Sequence, residues 1–351
     1  MKFKMMMGVL ATSAAVTSGA AAGLVEASNV TPVLDRWVYP FASNPGAETT
    51  AYCFTSLGNP GGNTFDDHDG QFLIGWDTAA AGVTPGQALN RYRVMSATVT
   101  VRVSADQVFK YDPSYDSYKC LLETSDPDYV ADADGYQVTP TEFAAHPVEL
   151  FVCGYRNGWT QATYLESSPF KPTGTPFRGT RNVFAATMDA NGVVTDVSNN
   201  VGFRFESSPI AVGQCAGVTP GALVPLNTDM TFQVDLTSAG TIRYLREGLA
   251  AGRVNLMVSS LAQAPQQVLT VPTFYTREGA AQSPDPAARA PRLTLNVCVG
   301  HPADWDCNGI VSIDDLFFYF NAYFTGNADF DANGITSIDD LFGYINAYFL
   351  P

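Results

Sequence analysis

The chain has 351 residues and a net charge of -15, from 34 acidic against 19 basic side chains. That balance argues against a nucleic-acid partner, which needs a basic face. Charged residues make up only 15% of the chain while Gly, Pro and aromatic residues are frequent, a composition that suits an extracellular β-rich protein.

Residues 1–22 open with Lys2 and Lys4, run through Val9, Leu10 and Val16, and end in small residues. This is the pattern of a secretory signal peptide, with Ala20-Ala21-Ala22 as a cleavage site and Val25-Glu26-Ala27 as a second choice. It implies a secreted or cell-surface-attached protein. Residues 23–30 then read as a linker. No later stretch reaches the roughly eighteen apolar residues of a membrane span.

Over residues 31–300, short apolar runs alternate with turn residues. Strands are predicted at Gln71–Trp76, Met95–Val103, Val148–Val152, Phe184–Thr187, Val193–Val197, Phe203–Phe205, Met230–Leu236, Val254–Ser259 and Arg292–Val299. In the second of these, Met95, Ala97, Val99, Val101 and Val103 share one face. Asp189-Ala190-Asn191-Gly192 signals a hairpin. One helix is expected, Ala239–Ala251, with Ile242, Leu245 and Leu249 at helical spacing and Gly252 to end it. Period-two runs with turns at this rate predict a mainly β domain, a β-sandwich or jelly roll.

No catalytic residue is assigned in this region. Asp66, Asp67, His68 and Asp69 form the densest polar cluster, which reads as a solvated turn entering a strand, with a metal or catalytic site as the alternative. Asp126, Asp128, Asp132 and Asp134 alternate but complete no calcium loop, which leaves an acidic surface loop. Glutamates are scattered, with no motif that selects a pair for glycoside hydrolysis. Sugar C–H faces stack on exposed aromatic rings. Candidates for a glycan-binding face are Trp76, Tyr111, Tyr115 and Tyr118, with Trp37 and Trp159 as further rings. The even count of six cysteines suggests disulfides in an exported protein. Cys298 and Cys307 flank the junction at residue 301 and are the favoured pair, because their bridge would tether the segment that follows to the preceding strand.

Residues 301–351 carry one pattern twice. Asp304, Asp306, Asn308, Ser312 and Asp315, then Asp329, Asp331, Asn333, Ser337 and Asp340, fall at positions 1, 3, 5, 9 and 12 of a loop with Gly309 or Gly334 at position 6. This is the ligand spacing of an EF-hand calcium loop, in which alternating oxygens surround a hard cation and the glycine permits a sharp turn. Ile310 and Ile335, at position 7, would offer backbone carbonyls, and Ser312 and Ser337 would act through water. Two Ca2+ ions are therefore expected. The stretch holds eight Asp and neither Lys nor Arg, so its carboxylates repel one another without cations. A helix is predicted after each loop, with Leu316, Phe317, Phe320 and Phe324 as the apolar stripe of the first and Leu341, Phe342, Ile345 and Phe349 as that of the second. A unit this small has a marginal core and needs a staple, here the metal.

Loop plus exiting helix, twice, with Asp315 and Asp340 where an EF-hand has Glu and no entering helix before the first loop, resembles a dockerin. It is similar to the GC-type dockerin module that ends many secreted proteins of planctomycete-like bacteria. The resemblance implies a small all-α module whose two units pack pseudo-symmetrically and bind a cohesin on another protein. In dockerins, positions 10 and 11 often carry Ser or Thr and contact the cohesin. Here they are Ile313-Asp314 and Ile338-Asp339, an apolar anchor beside a charge; burial of the isoleucines in the module's own core is the alternative.

A second resemblance covers the order Phe232–Leu236, Leu249–Gly252, Val254–Val258, Phe274–Glu278 and Pro291-Arg292-Leu293. That order is similar to the DNRLRE-type β-sandwich, related to some carbohydrate-binding modules, and implies a polysaccharide ligand. The expected protein is thus secreted and non-catalytic. Its calcium-dependent dockerin anchors it to a cohesin-like partner or the cell surface, and its β-sandwich displays a polysaccharide-binding face. A dockerin-bearing polysaccharide-degrading enzyme and a structural surface protein are the alternatives.

Overall fold

β-branched and aromatic side chains at alternate positions favour a pleated, half-buried surface, and they give the middle of the chain its strands. The computed structural model describes residues 23–56, 65–132, 145–264, 270–331 and 333–350. The expected signal peptide and Asp134 lie outside the described residues. In chain order the strands are β1 (Gly23–Val30), β2 (Leu34–Val38), β3 (Thr50–Tyr52), β4 (Gln71–Asp77), β5 (Tyr92–Arg102), β6 (Val148–Tyr155), β7 (Val183–Met188), β8 (Val194–Asp196), β9 (Ala211–Val212), β10 (Asp229–Gln233), β11 (Arg253–Ser260), β12 (Thr273–Tyr275) and β13 (Arg292–Val299). The helices are α1 (Asn200–Phe203), α2 (Ala239–Ala251), α3 (Arg277–Ala281), α4 (Pro286–Arg289), α5 (Ile313–Phe324) and α6 (Ile338–Phe349).

The chain is mainly β, and its named strands pair antiparallel. One sheet runs β1-β13-β5-β10; a larger one runs β2-β4-β11-β6-β7-β8, with β9 beside β6; β3 pairs β12. A single buried cluster draws Val99, Val101, Phe232 and Leu295 from the first sheet and Leu34, Ile74, Trp76, Leu150 and Leu256 from the second. α2 packs on β5 and β11, one strand of each sheet. Ser238 caps its N-terminus, and Gly252 ends it with φ 78°, a conformation open to glycine without penalty. Helical spacing and Gly252 predicted these bounds. Among the described residues no helix is long and apolar enough to cross a membrane.

Four expectations are corrected. Residues 23–30 are not a linker but β1, in register with β13 from Gly23↔Val299 to Ala27↔Leu295. As an edge strand with Leu24 and Val25 adjacent and polar residues at 26, 28 and 29, β1 lacks the regular apolar alternation by which strands are read. Met95 does not join the buried face of β5. The register with β13 steps from Ser96 to Val94, so Met95 is the extra residue of a bulge and turns out to solvent, 51% exposed. Phe203–Phe205 is not a strand: Phe203 ends α1, and Arg204 takes a left-handed φ of 58°. The cluster Asp66–Asp69 is not a solvated turn, because all four residues are buried.

Cys298 and Cys307 form the favoured disulfide. Cys53, Cys120, Cys153 and Cys215 are buried free thiols, so the other expected bridges do not form among the described residues.

Candidate functional site

The two C-terminal loops share one hydrogen-bond set. In the first, Asp304 accepts from the backbone N–H of Asn308 (3.1 Å) and Gly309 (2.9 Å). Asp306 accepts from Asn308 N (3.0 Å) and Nδ2 (2.7 Å), and Asn308 Oδ1 accepts from Ile310 N (2.8 Å). Asp315 reaches back across the loop: its Oδ1 accepts from Trp305 N (2.6 Å) and Asp306 N (2.9 Å), its Oδ2 from Ser312 N (2.8 Å). Asp329, Asp331, Asn333 and Asp340 repeat each of these bonds at 2.7–3.1 Å. Gly309 and Gly334 take φ 86° and 90°, where a side chain would be strained, which accounts for glycine at position 6.

Ser312 and Ser337 are N-caps. Each hydroxyl accepts from the residue two further on, and Asp315 or Asp340 closes a capping box at N3. The residue at position 12 therefore both closes the loop and starts the helix, a double duty that the shorter Asp performs here. Carboxylate oxygens of Asp304, Asp306 and Asp315 lie within 4.8 Å of one another, as do those of Asp329, Asp331 and Asp340. Burial, and after it the charges of the neighbouring loop aspartates, holds the Asp304 and Asp329 carboxyls above the usual range. Oxygen-only donors converging in this way fit a hard divalent cation, with Asn308 and Asn333 Oδ1 and the carbonyls of Ile310 and Ile335 to complete the shell. Ser312 and Ser337, committed to capping, stand behind it.

Behind the loops sits a small core. The rings of Tyr319 and Tyr344 stack at 3.7 Å and 0°, and Trp305 and Phe330, at position 2 of each loop, stand edge-on to both. Each tyrosine hydroxyl donates to the residue just before the other copy's loop, Tyr319 to the Ala328 carbonyl (3.3 Å) and Tyr344 to that of Ala303 (3.1 Å). This overturns part of the predicted stripe. Leu316, Phe320 and Leu341 do pack on the core, but Phe317, Phe324, Phe342 and Phe349 are 59–82% exposed. Both helices are apolar nearly all round, so period alone cannot choose a face. Buried carbonyl partners for the tyrosine hydroxyls choose it.

The outward face is duplicated too. Ile313 and Ile338 are 55% and 53% exposed and so do not fill the core. Asp314 and Asp339 beside them are exposed, and Phe317 and Phe342, one turn on, extend each patch.

Of the glycan candidates, two are unavailable. Trp76 is fully buried in the core, and Tyr111 is buried with its hydroxyl donating to Gln214 Oε1 (3.0 Å). Trp76 lies on β4, whose side chains are buried on both faces, whereas Tyr111 lies in an irregular segment. Tyr118 opens a short 3-10 turn and is half-buried. Tyr115 is exposed, donates to Glu206 Oε2 (2.6 Å), and lines a surface cavity of about 370 Å3 with Ile210, Val212, Gln233 and Asp235. A larger cavity of about 450 Å3 is walled by Tyr155, Trp159, Phe184 and Tyr244, with Thr160, Gln161 and Glu247 as polar lining. Sequence reasoning named Trp159 only as one ring among several, because its partners come from β6, β7 and α2.

Several acidic residues of the β region are paired within it. The Asp66 carboxylate is held by Arg181 Nε (2.5 Å) and Asn199 Nδ2 (2.8 Å). His68 lies between Ser259 Oγ (2.7 Å) and Asn200 Oδ1 (2.9 Å), and burial pushes it down to about 4, so it is neutral. Asp126 and Asp128 are paired with Arg204. Asp132 converges instead with buried Asp116 and Cys120. Glu149 is buried close by, and burial, then the Asp116 charge, pushes its carboxyl up to about 8.

No family model matches the chain, and comparison with characterised proteins finds no relative.

Proposed function

We propose that this is a secreted protein with a C-terminal, calcium-dependent dockerin module that docks to a cohesin-like partner or cell-surface component. The observation that carries the reading is the duplication at three levels: two identical donor sets, one tyrosine pair exchanged between them, and two matching exposed patches. Two Ca2+ ions, one per loop, would neutralise the converging carboxylates. The bound ions would then link folding of the module to metal. In the same reading the two sheets form a β-sandwich that presents a polysaccharide-binding face. The cavity walled by Trp159 and Tyr155 is the favoured subsite, because it combines aromatic walls with a few polar groups.

The pseudo-symmetry supports docking through either patch. Pull-down from a surface fraction of the source organism tests this with alanine at Ile313 and Asp314, at Ile338 and Asp339, or at all four. Either single-copy variant keeps the partner and the four-fold variant loses it, with calcium binding intact. Recovery of the same partner by the folded, calcium-bound four-fold variant removes these residues from the interface.

A further inference from the structure

Residues 301–351 contain neither Lys nor Arg, yet each loop faces an arginine supplied by the rest of the chain. Arg93, on β5, lies over the Trp305 indole, its guanidinium carbon 4.1 Å from the ring centroid. Its Nη2 donates to the Trp305 carbonyl and to Cys307 Sγ, the latter at 2.9 Å. Trp305 and Cys307 are the spacers between Asp304, Asp306 and Asn308, so this cation stands at the back of the first donor set. Arg246, on α2, is 8% exposed, and its Nε has no hydrogen-bond partner. The carboxylates acting on it are Asp329 and Asp331, positions 1 and 3 of the second loop. The start of α2 touches that same loop: a Cβ on Gly334 would lie 3.2 Å from Ala239 Cβ. Because α2 packs on β5, the two arginines belong to one continuous surface.

A buried guanidinium without a counter-charge is costly. Burial pushes both arginines down, Arg93 to about 10, and the loop carboxylates oppose that push. Resting on the calcium reading above, we propose that Arg93 and Arg246 are internal counter-charges of the two loops, which compete with a divalent cation for the same carboxylates and so set its affinity in the full chain. Two cations cannot share one donor set at full strength, since repulsion between them in a partly buried site is poorly screened. Without metal the arginines hold the loops against the β region. With metal that attraction is weakened, and the ion binds less tightly than the donor set alone would hold it.

The test is calorimetric titration of Ca2+ into the full chain. Arg246→Met removes the charge while keeping a long buried side chain, and Arg246→Lys keeps the charge. One of the two sites tightens about tenfold in Arg246→Met, the other is unchanged, and Arg246→Lys stays within about threefold of wild type. Near-ultraviolet circular dichroism in saturating Ca2+ reports the fold, and Arg246→Gln serves in place of a methionine variant that does not fold. Unchanged or weakened affinity in a folded charge-removed variant overturns the counter-charge role, since a purely structural arginine would loosen the site. If wild type binds Ca2+ and only the variants behave otherwise than expected, the calcium reading stands. If wild type binds none, both fall.

Discussion

Replacing Glu149 by Gln should make the protein more stable at alkaline pH and leave it nearly unchanged in acid. Glu149 sits on β6, 3% exposed. Among the described residues the Ser207 hydroxyl donates to it, at 3.4 Å from Oε1. Burial first, then Asp116 and, after a weak offset from Ser207, Asp112, raise its carboxyl from 4.5 to about 8. The unfolded chain gives up this proton near pH 4.5, while the folded chain keeps it to about pH 8. Stability therefore falls as pH rises across that window, and the loss is complete above it. At about 1.4 kcal/mol per pH unit, the gap amounts to about 4–5 kcal/mol. Gln fills the same volume and carries no titratable proton. Asp35 and Asp69, raised by burial to about 7 and about 6, slope the same way in both chains, so the difference between the chains isolates Glu149. Urea midpoints for the two chains from about pH 4.5 to about pH 8.5 measure it. A gap that stays constant over this range would refute the reasoning.

Trp159→Ala should weaken any glycan bound by the wild-type chain at least about tenfold on an array, whereas Tyr118→Ala should not; equal losses would move the subsite away from the Trp159 cavity. Cys298→Ser with Cys307→Ser removes a bridge with a sequence separation of 9. Loop-closure entropy puts the loss for the C-terminal segment at about 2.5–3 kcal/mol, read as a lowered urea midpoint of its tyrosine and tryptophan signal. Chelation of wild type should lower the helicity of residues 301–351, and a far-ultraviolet spectrum unmoved by chelator would separate folding from metal.

Some of this protein is determined locally and could be read from residue order. The two C-terminal loops depend on a fixed spacing of side-chain oxygens and one glycine with positive φ, so the loop turns, the convergence of their carboxylates and the helix starts after them were legible. The bounds of α2 follow from Ser238, its apolar spacing and Gly252. The Cys298–Cys307 bridge spans a short separation at a recognisable junction. Other features depend on what lies across from a residue, and sequence is silent there. The strand β1 exists because β13 offers an unpaired edge, not because its own residues alternate. Tyr319 and Tyr344, rather than Phe317 and Phe342, point inward because a buried carbonyl on the other copy awaits each hydroxyl. Trp76 is core because its strand lies between β2 and β11. Arg246 and Arg93 are separated from the aspartates of their loops by at least 83 and by more than 200 residues along the chain, and only the packing of α2 and β5 against the C-terminal segment brings those charges together.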